Sequence, residues 1–287
     1  MKIVRIDLYR HGPKNNNPVS HGTGVEASLD PEYFDQINDH ASFIATDDSR
    51  DSFSVGSSVV GRAKNTAKIV AEKLRKEGKK VEGPCSYDLL SSNSLDLLTG
   101  NVVNLSPLSM SNLWAEAKKE DNYSSIRQAE GRPLYAWFSQ GLDNPQAGLL
   151  GEDVGIPLRE IAWRVGTYVE SMLNGTQAKR VIGYGHSGDI EPWIALTIQM
   201  QEGNDDGRRG TTVSQMQDLY HRLGGALNPL QGVSIVEDDA EIYLIGSERG
   251  PDFGSGLRLD RKIIEIQSQL YLTEGISSDV LAKKRRR

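Results

Sequence analysis

Three short stretches carry side chains suited to phosphate chemistry. The first is Leu8-Tyr9-Arg10-His11-Gly12. Neutral imidazole is a nucleophile, and its ordinary pKa of about 6.5 keeps much of it neutral near pH 7. An arginine beside it can hold phosphate oxygens in a planar fork and spread their charge. Gly12 lets the backbone turn closely around a bound group. The second stretch runs Ser57-Ser58-Val59-Val60-Gly61-Arg62-Ala63-Lys64-Asn65-Thr66-Ala67. Arg62 falls near the start of a helix, and a helix N-terminus and an arginine both favour an anion. The plainer alternative is a solvated arginine on a helix that packs through Ala63 and Ala67. The third stretch is Gly183-Tyr184-Gly185-His186-Ser187-Gly188-Asp189. Here the alternative is a satisfied histidine, with Ser187 or Asp189 capping the next helix.

These residues need a scaffold. Lys2–Tyr9 reads as a buried strand, and a turn-rich loop follows from Pro13 to Ser20. Asp51–Ser57 reads as a second strand. After Ser58, the spacing of Ala63, Ala67, Val70, Ala71 and Leu74 predicts a helix that Gly78 closes. Pro157–Leu173 is a further helix, stopped by Asn174-Gly175. Val181–Gly185 is a short buried strand, with a helix from about Ile190. Val233–Glu237 and Glu241–Ile245 alternate around Asp238-Asp239, as a hairpin does. Arg258–Leu272 reads as a final amphipathic helix. Strands alternating with helices predict an α/β three-layer sandwich: a mostly parallel central sheet flanked by helices, with one antiparallel edge. Ligands in such sheets bind beyond the carboxyl ends of the strands. His11 and His186 both stand there.

The chain has 287 residues, 37% hydrophobic and 25% charged, which is ordinary for a globular protein. We read residues 1–287 as one domain. Residues 99–152 form an irregular cap or insertion, and 273–287 a flexible basic tail. The net charge is −6, and the run Lys283-Lys284-Arg285-Arg286-Arg287 supplies five of the positive charges. So acidic a body predicts no nucleic-acid partner. Its apolar runs are too short for a bilayer, so no membrane partner is expected. Met1–Asp7 has charges within its apolar stretch and no cleavage-like segment, so no signal peptide is expected. A single cysteine, Cys85, excludes an internal disulfide and a multi-cysteine zinc site and fits a reducing cytoplasm. His21, His40 and His221 lack metal-ligand spacing. Gly22-Thr23-Gly24-Val25-Glu26-Ala27 matches a dinucleotide fingerprint, but it lies well past the strand end, so the strand–turn–helix context fails. Arg208 and Arg209 read as solvated residues of a polar loop.

Taken together, the three stretches resemble the histidine phosphatase superfamily, which includes the cofactor-dependent phosphoglycerate mutases. The shared pattern is Arg10-His11-Gly12 after the first strand, then Ser57-Ser58 leading to Arg62-Ala63 and Thr66-Ala67 on a helix. Gly185-His186 then follows a later strand. Asn17 falls six residues after His11, where members often carry a phosphate-contacting asparagine. The resemblance covers roughly residues 1–75 and 155–200. It implies that His11 is transiently phosphorylated, that Arg10, Arg62 and Asn17 bind the phosphoryl oxygens, and that His186 completes the pocket. It implies no metal and no cofactor, because arginines and a histidine supply the positive charge.

One element departs from that pattern. Members usually supply a carboxylic acid for the leaving oxygen, in one branch a glutamate after the third sheet strand. In the matching stretch, Tyr87 to Asp96, a serine stands in its place. In another branch the acid directly follows the second histidine, where this chain has Ser187. Asp189, Asp96 and Asp88 are the substitutes at hand, each of which also suits a turn or cap. The expected activity is metal-independent phosphomonoester hydrolysis through a phosphohistidine at His11. The partner would be a phosphorylated small molecule or phosphoprotein. Two alternatives stand beside it: a mutase of the phosphoglycerate mutase type, and a regulatory protein that binds a phosphorylated ligand without turnover.

Overall fold

A computed structural model of the chain describes residues 4–13, 29–47, 51–95, 102–104, 135, 138, 141–143, 156–175, 177–186, 188–238, 241–247 and 250–275. Its strands are β1 Val4–Arg10, β2 Ser52–Ser57, β3 Lys80–Ser86, β4 Asn93–Leu95, β5 Val102–Asn104, β6 Arg180–Gly185, β7 Gly232–Asp238, β8 Glu241–Gly246 and β9 Leu257–Leu259. Its helices are α1 Phe34–Asp47, α2 Gly61–Lys76, α3 Leu158–Gly175, α4 Ile190–Gln201, α5 Val213–Arg222 and α6 Arg261–Glu274.

Seven strands form one sheet in the order β3-β2-β6-β1-β7-β8-β9, and β4 pairs with β5 separately. β3, β2, β6 and β1 run parallel, while β7, β8 and β9 add antiparallel pairs on one side. The expected sandwich is the fold found, and its antiparallel edge is three strands wide.

Alternation along the central strands builds the layers. Val4, Ile6 and Leu8 of β1 and Val181 of β6 join the core beneath α3, α4 and α6. Tyr9, Ile182 and Tyr184 face the other way, into the core with α1 and α2. Two pieces of the 99–152 region reach the first core, where Phe138 and Leu142 are fully buried. Arg159 of α3 pins the adjacent Asp143, at 2.9 Å, and also grips Asp205, at 2.8 and 3.0 Å. The rest of that region, apart from β5, Tyr135 and Gly141, lies outside the described residues.

Several elements differ from expectation. α1 was not anticipated, although Ile37, Ala41, Ile44 and Ala45 form its buried stripe. β3 lies at the sheet edge with no buried residue and so shows no apolar pattern in the sequence. Thr212 opens α5 with a reciprocal capping box to Gln215, a signature visible in the sequence but not used. The last helix was expected from Arg258. Instead, Leu257–Leu259 pairs with β8, and Asp260 caps a helix that runs to Glu274, into the segment read as tail. No described helix is long and apolar enough to cross a membrane.

Candidate active site

β1 and β6 are neighbours in parallel register, with Arg10 opposite Gly185. The ladder continues one step further, because the His11 N–H donates to the Gly185 carbonyl at 3.0 Å. Both strands therefore end on one rim, and the next residue on each is a histidine. The two imidazole centroids lie 4.7 Å apart at an interplanar angle of 62°. β2 borders the same rim, with the Ser58 N–H donating to the Tyr184 carbonyl at 2.8 Å. Past Ser58 the chain turns into α2, whose first turn carries Arg62. The Arg62 Nε–H donates to His11 Nε2 at 3.3 Å.

Local bonds fix the rings. His11 Nδ1 lies 2.5 Å from the Gly12 carbonyl oxygen, so Nδ1 carries the proton and the Nε2 lone pair faces Arg62. The Gly12 N–H donates to Thr66 Oγ1 at 3.0 Å, and the Thr66 hydroxyl donates to the Arg62 carbonyl at 2.9 Å. Strand end and helix start are thus clamped together. Gly12 is closely packed: a Cβ there would sit 2.8 Å from Ile37 Cδ1, so a side chain would require Ile37 to shift. His186 Nε2 is 2.8 Å from Ser58 Oγ, a fully buried hydroxyl. Arg10 sends Nη1 to the Leu227 carbonyl at 2.6 Å.

The electrostatics follow from burial among cations. Burial first, then His186, Arg62 and Arg10, hold the His11 pKa well below its ordinary value. His186 is lowered likewise by burial, Arg62 and Arg10. Both rings are neutral near pH 7, and a neutral imidazole that keeps its Nε2 lone pair is a nucleophile. An arriving phosphate dianion reverses the balance and favours the protonated ring.

Asp189 does not behave as a helix cap. It occupies the N-cap position of α4, yet its side chain makes no capping bond. Its Oδ1 instead accepts the Ser92 N–H at 2.9 Å. Oδ2 is buried with no hydrogen-bond partner among the described residues. Burial raises its pKa to about 7, with Glu191 adding to the rise against the Ser92 bonds and Arg164. Ser91 and Ser92, also buried, belong to the stretch where the family pattern expects the acid. Sequence separation hid this pairing of Asp189 with Ser92.

Of the other residues singled out, Asn17, Asp96 and the Gly22–Ala27 stretch lie outside the described residues. Asp88 starts a single 3-10 turn, and its carbonyl accepts from Arg164 at 2.6 Å. Arg208 pairs with Glu274 at the surface, at 2.7 Å. His40 packs edge-on against Tyr9, and His221 lies against Tyr135. Among the described residues no group of three or more His, Cys, Asp or Glu could hold a metal ion. Ser58 and Glu191 were not anticipated as site residues. Ser58 sits inside a noted stretch, whereas nothing local marks Glu191.

Sheet order and site position define an α/β sandwich with two histidines and Arg10 at the strand ends and Arg62 in the first turn of the adjoining helix. No family model matches the sequence, and no match was found among curated proteins. Among solved structures the fold is shared with a mycobacterial hydrolase, at 17% identity over 87% of this chain and 99% of that one, with a TM-score of 0.50. Also similar are a mycobacterial glucosyl-3-phosphoglycerate phosphatase (17% identity, 82% of this chain and 90% of that one, TM-score 0.46) and a Bacillus anthracis phosphoglycerate mutase (14%, 93% and 97%, TM-score 0.45). At these identities the likeness is one of fold.

Proposed function

We propose that the chain is a metal-independent phosphomonoesterase that works through a phosphohistidine on His11. The observation that carries this reading is the convergence on His11 of the His186 ring, 4.7 Å away between centroids, and of Arg62, which donates to Nε2 at 3.3 Å, with Arg10 close enough to depress both rings. A nucleophile surrounded by fixed positive charge is what phosphoryl transfer requires, because the transition state spreads negative charge over its equatorial oxygens. His11 Nε2 attacks phosphorus as the ester P–O bond breaks. The alcohol leaves with a proton, and Arg10, Arg62 and protonated His186 hold the phosphoryl oxygens. Water then attacks the phosphohistidine, the N–P bond breaks, and inorganic phosphate departs.

The proton donor in this reading is Asp189 rather than Asp96. A carboxyl that burial keeps half-protonated near pH 7 suits both halves of the cycle: it gives its proton to the leaving alcohol and takes one from water. Asn17 joins the phosphate ligands by resemblance. The chain acts as one domain, with residues 99–152 capping the pocket and selecting a phosphorylated small molecule or phosphoprotein, and it works in the cytoplasm.

The test is hydrolysis of a chromogenic phosphate ester at acidic and neutral pH. The parent turns over, and His11→Ala loses about 10³-fold or more. Turnover that survives His11→Ala would overturn the reading. Oxyanion binding without any turnover by the parent would replace it with the regulatory alternative.

A further inference from the structure

Glu191 is a buried carboxylate in the first turn of α4, 1% exposed. Its Oε2 accepts the Gly188 N–H at 2.8 Å, inside the turn that follows His186. Its Oε1 leaves the helix and accepts the Leu227 N–H at 2.9 Å, 36 residues further along. The backbone of Leu227 continues to the pocket, because its carbonyl takes the Arg10 guanidinium at 2.6 Å.

The segment that Glu191 grips is bound to Arg10 twice more. The Arg10 N–H donates to the Gln231 carbonyl at 2.8 Å, and the Leu230 N–H donates to the Arg10 carbonyl at 3.0 Å. Between these points lies a tight turn, closed by the Gln231 N–H on the Asn228 carbonyl at 3.0 Å. Leu230 adopts φ of 63°, and among the described residues no other non-glycine has positive φ. With Pro229 at its second position, the turn places a branched residue where type II turns favour glycine. Such a conformation persists only where its surroundings over-determine it, and it clusters at functional sites.

We infer that Glu191 is a positioning residue: its carboxylate joins the His186 turn to the Leu227–Gln231 segment and thereby aims the Arg10 guanidinium at the phosphoryl oxygens. This rests on the proposed phosphate pocket. A carboxylate that merely capped α4 would need only the Gly188 N–H. The second bond, to a distant element that itself holds Arg10, is the mark of positioning. Misaiming a guanidinium weakens a planar, bidentate contact more than it weakens a simple point charge.

The test is a double-mutant cycle on vanadate inhibition and on calorimetric binding of inorganic phosphate, with melting temperature as a folding control. Glu191→Gln keeps the shape but leaves an amide N–H₂ facing one of the two backbone donors. We expect oxyanion binding about tenfold weaker than in the parent, and no further weakening when Glu191→Gln is added to Arg10→Ala. Should Glu191→Gln fail to fold, Glu191→Asp carries the same cycle. Its shorter arm reaches one donor, and the expected loss is about threefold, again absent without Arg10. Losses that simply add to that of Arg10→Ala would reduce Glu191 to a structural role and overturn the inference, with the phosphate pocket left standing. A parent that binds neither vanadate nor phosphate would overturn both.

Discussion

The same two strands end in opposite kinds of charge. Midway along β1 and at the start of β6, Asp7 is buried against Arg180 at 2.6 Å, with Arg5 at 2.8 Å and Ser234 also bonded to the carboxylate. Burial alone would raise the Asp7 pKa, but Arg180 and Arg5 hold it below the ordinary carboxylate value. At the other end, four residues along β1, two histidines gather with Arg10 and Arg62, and both rings lose their protons. One end neutralises its charges internally and stiffens the sheet. The other assembles cations whose effect on one another is repulsive, an arrangement that an anionic ligand stabilises. The contrast separates a structural network from the proposed binding site within one pair of strands.

This contrast can be broken by experiment. The largest effect is expected at the structural end. Asp7→Asn removes the nearest carboxylate from the fully buried Arg180 guanidinium, which keeps Asp47 at 3.5 Å, and should cost about 3 kcal/mol of unfolding free energy, read by urea denaturation. The kcat/KM per folded molecule should stay unchanged, so a matching loss in kcat/KM would show the two ends to be coupled. Next is Arg62→Ala, which should weaken vanadate inhibition about 100-fold while changing stability by less than 1 kcal/mol. An unchanged inhibition constant would remove Arg62 from the pocket.

A third test uses pH and the leaving group. His11 must be neutral to attack, so activity falls only once pH drops below its depressed pKa. Asp189 must be protonated to donate, so activity also falls as pH rises through about 7. Asp189→Asn should lose that alkaline limb and about 100-fold in rate on an alkyl phosphate, but about tenfold or less on a nitrophenyl ester, whose oxygen leaves without a proton. Equal losses on both esters would point to another donor. The stability contribution of Asp189 also declines as pH rises. The raised pKa favours the folded state fully below about 4 and progressively less as pH rises to about 7. The melting temperature of Asp189→Asn should therefore gain on the parent across that interval. The smallest effect is none: a chelator should leave hydrolysis intact, and loss of activity would reveal a metal.

Much of this molecule was legible because its periodicity is local. β1, β2, α2, α3, β6 and the β7–β8 hairpin each show apolar spacing that one short window reveals, and His11, His186 and Arg62 sit at the ends of those windows. α1 has the spacing too, but Asn38, Asp39 and His40 dilute it. β3 hides because an edge strand needs little apolar surface. The unread part of the site is made of long-range bonds: Ser58 to His186 spans 128 residues, and Arg10 to Leu227 spans 217. Asp189 shows the same limit, since its N-cap position suggested a role that its carboxylate does not perform.

β1 is a central strand, and the contacts around its C-terminal end come from far downstream. β6 closes one flank of β1 and β7 the other, while the Leu227–Gln231 turn holds Arg10. A growing chain must therefore extend 217 residues beyond Arg10 before the bond that holds its guanidinium can form. Oxyanion affinity should emerge late and abruptly, so its return in refolding marks completion of the native topology rather than of any single hairpin or helix.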